Sequence, residues 1–260
     1  MAVGSTANAQ LRPIKRYGFE VLETVPQSRE NFVQGLQIFE GTLYIGTGLY
    51  GVSELLEYNF PSMDLRRKKR LSDDLFGEGV TRFRDQIYQL TYRAQKLLVY
   101  DAESLALSQT LPIRTEGWGI THDSKNLIYS DGSANLYFLD PGSGALLRTL
   151  PVMLNGRPLA RLNELEWIDG KVWANVWQAN QIIEINARTG VVESVADLRG
   201  LLDPQLREED TDVLNGIAWD AERKQLWVTG KRWPKIYRIR LIELGASRPQ
   251  TPAPGRRNTP

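Results

Sequence analysis

The feature that most constrains the fold of this chain is an internal repeat of β-rich segments. Five segments follow one plan: a small residue leads into a short strand, a polar turn, a second strand, a polar loop and a third strand. They begin at Val33, Gly77, Gly117, Leu162 and Leu214. Equivalent positions are separated by 44, 40, 45 and 52 residues, and a four-stranded propeller blade needs about 40–45. The repeat therefore predicts an all-β protein, specifically a five-bladed β-propeller.

A fourth strand follows each segment except the last. These strands are predicted at residues 64–71, 106–113, 145–152 and 191–198. An unmatched strand at residues 17–25 is expected to supply the missing outer strand of the last blade, which would close the ring and protect its edges. The best helical candidate, residues 199–208, is interrupted by Pro204.

The predicted organisation is one propeller domain between two ends of different composition. We expect a flexible segment over residues 1–16, the catalytic domain over 17–246 and a disordered tail over 247–260, which is rich in Pro and Arg. The triplet at residues 7–9 (ANA) has the small residues of a signal-peptide cleavage site. It favours the remnant of an export signal, and so a periplasmic or secreted protein; the alternative is an expression tag or a ragged terminus.

Composition removes several functional classes. The 32 Lys and Arg residues nearly balance the 31 Asp and Glu residues, for a net charge of +1, so no field of one sign attracts nucleic acid or an anionic membrane. No apolar run is long enough to span a bilayer. The chain has no Cys and a single His, His122, in a predicted turn. Chemistry must therefore come from carboxylates, amides, Lys, Tyr and Trp.

The residues that precede the inner strands indicate where a site should lie. In a propeller these residues converge on one mouth of the central channel, and here they are Gln34, Glu78, Trp118, Asn163 and Asn215. A purely structural position would repeat one small or apolar residue, whereas this position holds four different polar or aromatic types. We expect a mouth adapted to an asymmetric ligand; the alternative is a polar channel filled with water.

Glu78 is the only acid among the converging residues. A carboxylate in a semi-enclosed aromatic pocket has its pKa raised by desolvation, toward the value that an acid/base needs near neutral pH. The alternative is a structural ion pair, for example with Lys231. Glu164 and Glu166 flank the same position in the fourth segment, so at least one of them is expected near the site. Trp118 lies between two glycines and is the best candidate for an exposed aromatic wall.

Ten short motifs, in order from about residue 20 to 240, resemble the plant and bacterial type of glutaminyl cyclase. They are FVQGL (32–36), GLYG (48–51), FGEG (76–79), YQLT (88–91), GWG (117–119), SDGS (130–133), LNELE (162–166), VWANVW (172–177), LNGIAWD (214–220) and VTGKRWPK (228–235).

The resemblance implies a glutaminyl-peptide cyclotransferase on a five-bladed propeller that works without zinc or another cofactor. Its substrates would be peptides or proteins with an N-terminal glutamine, converted to pyroglutamate with release of ammonia. Its acid/base glutamate corresponds to Glu78. The predicted catalytic residues are Glu78 and Lys231, and the predicted substrate-binding residues are Phe32, Gln34, Trp118, Asn163, Glu164, Trp177 and Asn215. No nucleic-acid or membrane partner is expected, and a ring with protected edges favours a monomer.

Two other functions remain open on the residues alone. A calcium-dependent hydrolase of propeller fold would use Glu78, Asn163 and Asn215 as ligands, although calcium takes six to eight oxygens and Trp118 and Lys231 would obstruct it. A peptide-binding propeller without catalysis would keep the aromatic wall and have no need of Glu78.

Overall fold

The computed structural model describes residues 13–245, and these residues form an all-β fold. They contain one short 3-10 helix and no α-helix. The first strands are β1 (Lys15–Pro26), β2 (Val33–Phe39), β3 (Thr42–Thr47), β4 (Glu54–Asn59), β5 (Asp64–Arg70), β6 (Gly77–Phe83), β7 (Gln86–Thr91), β8 (Lys96–Asp101), β9 (Leu107–Pro112), β10 (Ile120–His122), β11 (Leu127–Ser130), β12 (Asn135–Leu139) and β13 (Leu146–Pro151).

The remaining strands complete the same pattern. They are the short pair β14 (Met153–Leu154) and β15 (Arg157–Pro158), then β16 (Leu162–Ile168), β17 (Lys171–Val176), β18 (Gln181–Asn186), β19 (Val192–Asp197), β20 (Leu214–Asp220), β21 (Gln225–Gly230) and β22 (Lys235–Glu243). Strands β2–β5, β6–β9 and β10–β13 form separate four-stranded sheets in sequence order. The fourth strand predicted after each of the first four segments is present as β5, β9, β13 and β19.

The N-terminal strand joins the two ends of the chain. β1 pairs antiparallel with β22, from Tyr17 opposite Glu243 to Pro26 opposite Lys235. It thus takes the predicted place beside the third strand of the last segment. β1 also pairs in parallel with β19, from Lys15 opposite Ser194, which the sequence did not indicate. The two contacts merge β16–β19, β1 and β20–β22 into one eight-stranded sheet.

One predicted segment boundary and one helical candidate differ from the structure. β1 begins at Lys15, inside the segment expected to be flexible; the rest of that segment up to residue 12, and the predicted tail at 247–260, lie outside the described residues. The helical candidate at residues 199–208 contains only a 3-10 helix, Pro204–Leu206, capped by Asp203 through a 2.9 Å bond from Gln205 N. Pro204 stands at its first turn, where its missing N–H costs nothing.

Inner and outer strands differ in burial. β2 is buried along almost its whole length, whereas β5 is exposed at every position except Arg67. Backbones of neighbouring inner strands also approach closely, because a Cβ on Gly79 would lie 2.6 Å from Ile120 N and one on Gly119 would lie 2.1 Å from Asn163 O. Only glycine permits that approach. Inner strands from different segments are therefore packed around a common centre.

Hydrophobic cores fill the spaces between consecutive groups of strands. One core joins Leu36 and Ile45 of the first segment to Trp227 of the last, and another joins Leu90 of the second segment to Ile120 of the third. Each group thus buries both of its faces against its neighbours. Within residues 13–245 there is no helix that is long and apolar enough to cross a membrane.

Candidate active site

Ten side chains from all five segments enclose a cavity of about 200 Å³ at the start of the inner strands. They are Phe32, Gln34, Phe76, Glu78, Tyr92, Trp118, Asn163, Trp177, Asp212 and Lys231. Seven of the nine residues predicted as catalytic or substrate-binding are in this set. Four of the five residues that the repeat predicted to converge therefore line one cavity, and the fifth, Asn215, does not.

Glu78 lines the cavity with only 4% of its surface exposed. Its Oε1 accepts a 3.2 Å hydrogen bond from Gln34 Nε2. Burial raises the pKa of Glu78 well above its usual value, and Glu116 raises it further, while the nearby charge of Lys231 lowers it. The effect of burial is the largest of the three, so the protonated form of Glu78, which can donate a proton, is favoured relative to an exposed carboxyl group.

Lys231 follows directly after β21 and is also buried, with 5% exposed. Its Nζ lies 4.9 Å from the centre of the Phe32 ring, a cation–π contact. Burial lowers the pKa of Lys231, and the charges of Glu78 and Asp212 raise it. The ion pairs of the described residues do not include one between Lys231 and Glu78, so Glu78 is not the carboxylate of a structural salt bridge there.

Aromatic rings form the walls of the cavity. Trp118 and Trp177 meet edge to face at 5.6 Å. Phe76 lies 6.3 Å from Phe32 and 5.7 Å from Tyr92, between ring centres. Trp118 is half-buried and its Nε1 donates to Glu116 Oε2 at 3.3 Å. A flat apolar side chain or the stem of a polar one fits between such walls.

Asn163 presents a free acceptor in this enclosure. Its Oδ1 is buried and has no hydrogen-bond partner among the described residues. Its backbone is held in place, because Ser130 Oγ donates to Asn163 O at 2.7 Å and accepts from Gly119 N at 2.9 Å. An unpaired buried amide oxygen costs free energy unless a ligand or water donates to it. Asn163 is therefore a candidate contact for a bound N–H group.

Glu164, predicted to bind substrate, does not line the cavity. The pairing of β16 with β17 is irregular between Leu162 and Leu165, and of the two neighbours in this stretch only Asn163 lines the cavity. Glu164 is fully buried and accepts hydrogen bonds from two inner strands, from Leu36 N at 3.2 Å and Ile217 N at 2.8 Å. Its role in the structure is to tie β2 and β20 to β16.

Asn215 also lies outside the lining of the cavity, immediately behind Gln34. Its Nδ2 donates to Gln34 Oε1 at 3.3 Å and to Val33 O at 3.0 Å. Asn215 thus holds the amide that in turn bonds to Glu78. Glu166 is farther along β16 and accepts from Trp219 N at 2.8 Å. Of the predicted set, Glu164 and Asn215 are supports of the site and have no surface in the cavity.

Three lining residues were not among the predicted site residues. Phe76 precedes Gly77 in the FGEG motif, and Tyr92 follows β7 as Lys231 follows β21, so both had a signal in the repeat. Asp212 had none, because it lies in the long segment between β19 and β20 that the other repeats lack. Among the described residues no three His, Cys, Asp or Glu side chains are grouped so that they could hold a metal ion.

Comparisons with known proteins agree with one another. The family model for glutamine cyclotransferase matches residues 1–241. A glutaminyl-peptide cyclotransferase of Arabidopsis thaliana is 37% identical over 236 residues, which are 87% of this chain and 72% of the relative. The crystal structure of glutaminyl cyclase from Myxococcus xanthus superposes with a TM-score of 0.83 at 29% identity, covering 90% of this chain and all of the other.

The fold, the cavity and these relatives define an all-β enzyme of the transferase class. The chain belongs to the glutamine cyclotransferase family. The resemblance carried by the ten motifs is thereby confirmed, and family membership favours the transferase over the calcium-dependent hydrolase and over a peptide-binding protein without catalysis.

Proposed function

We propose that this protein is a glutaminyl-peptide cyclotransferase that converts an N-terminal glutamine to pyroglutamate without a metal ion, with Glu78 as its acid/base. The observation that carries the proposal is Glu78 itself, a buried acid with a raised pKa and a bond to Gln34, in a cavity that also holds Lys231 and an aromatic wall. The family and the names of the two relatives support the reaction.

We also propose that the fold that carries this site is a five-bladed β-propeller. Strands β2–β5, β6–β9, β10–β13 and β16–β19 would be the first four blades. Strands β20–β22 with β1 as the outer strand would be the fifth. The pairing of β1 with β22 and the hydrophobic cores between consecutive groups support this assignment. The parallel pairing of β1 with β19 would then join the last two blades.

The reaction is intramolecular, so the first task of the cavity is to hold the substrate in a reactive conformation. The neutral α-amine nitrogen attacks the carbon of the side-chain carboxamide, and a new C–N bond closes a five-membered ring. The protonated Glu78 gives its proton to the departing nitrogen, the old C–N bond breaks and ammonia leaves. The Glu78 carboxylate then takes the surplus proton from the ring nitrogen, which restores the acid. General acid–base catalysis of this kind contributes about 10²–10⁴-fold.

Other lining residues have roles that follow from their atoms. Lys231 would stabilise the negative charge that develops on the carboxamide oxygen. Asn163 Oδ1, which has no partner in the described residues, would accept a hydrogen bond from a substrate N–H. Trp118 and Trp177 would hold the aliphatic stem of the glutamine side chain. No step needs a metal ion.

Ammonia release from a glutaminyl dipeptide, with and without EDTA, tests the proposal. We expect turnover that survives EDTA and that falls by at least about 10²-fold in Glu78→Gln. Glu166→Gln is the matched control, because it removes an equally buried carboxylate outside the cavity and should retain turnover. Loss of activity with EDTA would place a metal in the reaction, and absence of turnover in the wild type would overturn the function. Export and the monomeric state stay predictions.

A further inference from the structure

The cavity contains a second carboxylate, Asp212, in the segment that precedes β20. The residue is half-buried and lines the cavity together with Glu78 and Lys231. Its backbone is paired with that of Lys231, since Asp212 N donates to Lys231 O at 3.1 Å and Lys231 N donates to Val213 O at 3.0 Å. Asp212 and Lys231 are thus presented from two adjacent, mutually bonded segments.

The Asp212 side chain is held at one oxygen and open at the other. Oδ1 accepts a 2.7 Å hydrogen bond from Val213 N, and the carbonyl oxygen of Asp212 accepts a 3.0 Å bond from Trp233 Nε1. Oδ2 accepts no hydrogen bond from the described residues. An anchored carboxylate with a free oxygen beside a cavity is suited to receive a donor from a ligand, and it loses little conformational entropy when it does so.

The charges around the cavity show which donor that would be. Lys231 contributes a positive charge, and the proposed reaction uses Glu78 in its protonated, uncharged form. Glu116 near the rim is already paired with Arg93 at 3.5 Å and bonded to Trp118 Nε1. Without Asp212 the enclosure would therefore carry a net charge of about +1 and repel a cationic ligand. With Asp212 the charges of the enclosure sum to zero, and its carboxylate provides one negatively charged group for a cationic ligand.

We propose that Asp212 is the residue that binds the α-ammonium group of the substrate. The proposal rests on the glutaminyl-peptide cyclotransferase function, whose substrates carry that group at the reacting end. Asp212 receives the ammonium as the peptide enters. The ammonium then releases one proton to solvent, and its nitrogen attacks as the neutral amine that the proposed reaction requires. Asp212 is thus a specificity-determining residue, and the enzyme selects a free N-terminal amine through it.

Asp212→Asn tests the assignment with little disturbance of structure. Asparagine keeps an oxygen for the bond from Val213 N and has nearly the same volume, but it removes the charge. We expect KM for a glutaminyl dipeptide to rise about tenfold, with a smaller change in kcat, and Asp212→Glu to recover most of the loss. Asp210→Asn is the control: Asp210 is on the same segment, is paired with Arg232 and lies outside the cavity lining. Its KM should stay within about twofold.

A pair of inert ligands separates recognition of the amine from a structural effect. A norvalyl amide and the corresponding pentanoyl amide differ only by the α-amine, and both are tested as inhibitors. The wild type should bind the norvalyl compound more tightly, and Asp212→Asn should reduce that preference about tenfold while the pentanoyl inhibition constant is unchanged. A wild type with no preference, or a variant that weakens both compounds equally, would overturn the assignment. If the wild type converts glutaminyl peptides but shows no preference for the norvalyl compound, only the role of Asp212 is refuted. If the wild type shows no turnover, the proposed function itself is refuted.

Discussion

Gln34 Nε2 donates a 3.2 Å hydrogen bond to Glu78 Oε1, although the two residues are 44 positions apart in the chain. Gln34 is the second residue of the inner strand β2, and Glu78 is the second residue of the inner strand β6. Asn215 fixes the other end of the Gln34 amide. The acid is therefore oriented through Oε1 by a chain of amides from two other segments, and no described residue donates a hydrogen bond to its Oε2.

The first prediction concerns this orientation. Gln34→Leu removes the hydrogen-bond donor to Glu78 Oε1. We expect kcat to fall about tenfold or more, because an acid that is out of position transfers its proton more slowly. Steady-state kinetics with a glutaminyl dipeptide measures the effect. Gln37→Leu is the matched control, since Gln37 lies on the same strand and its Nε2 bonds to Thr81 Oγ1 at 3.0 Å outside the cavity. It should lower stability and leave kcat nearly unchanged; equal losses of kcat would contradict the assignment.

The second prediction concerns the electrostatic effect of Lys231 on Glu78. Because the charge of Lys231 lowers the pKa of Glu78, Lys231→Met should raise that pKa further. NMR titration of ¹³C-labelled glutamate carboxyls, with Glu78→Gln to assign the signal, measures the shift. Arg232→Met removes the neighbouring charge, which pairs with Asp210 outside the lining, and should move the pKa much less. A Glu78 pKa that is unchanged or lower in Lys231→Met would show that the two charges are not coupled.

The third prediction concerns the pH dependence of stability. Burial raises the pKa of Glu166 from 4.5 to about 8, so folding favours its protonated form. The stability that this proton contributes is complete below about pH 4.5 and is lost as the pH rises through about 8. Urea unfolding should show a free energy that decreases over this range. Glu166 contributes a slope of at most about 1.4 kcal/mol per pH unit, and Glu78 and Glu164, whose pKa values burial also raises, add to it. Glu166→Gln, which mimics the protonated acid, should flatten the curve; an identical slope in this variant would assign the dependence to other groups.

The fourth prediction concerns the approach of inner strands. Gly119→Ala would place a Cβ 2.1 Å from Asn163 O, and because backbone must move to relieve that contact, we expect a loss of at least about 3 kcal/mol or failure to fold. Gly18→Ala on β1 is the control, since its nearest neighbour is a side-chain atom of Leu244 at 3.5 Å, and a change below about 1 kcal/mol is expected. Thermal unfolding of both variants decides the question. A tolerated Gly119→Ala would mean that the strands are farther apart than the structure has them.

Much of the strand pattern and of the site was predictable from the repeat. The alignment of the five segments at the positions equivalent to Gly35 marks where the inner strands begin. This alignment correctly predicted that Gln34, Glu78, Trp118 and Asn163 line the same cavity. The prediction that Glu164 contacts the substrate was wrong in placing it at the cavity. An alignment of strand starts does not say which of two neighbouring side chains faces the cavity. Asn215 was assigned by equivalence with Asn163, yet its amide is used to hold Gln34.

What the sequence by itself determined is the set of β-rich segments, their glycine entries and the acid that lies among them, since turn chemistry and period-two patterns act over a few residues. Only the tertiary structure decided which atoms meet across segments. The pairing of β1 with β19, the carboxylate of Glu164 between two distant N–H groups and the presence of Asp212 beside Lys231 all depend on how strands pack in space. Such contacts join residues that are far apart in the chain, so no local pattern specifies them. Asp212 in addition lies in a segment that has no equivalent in the other repeats.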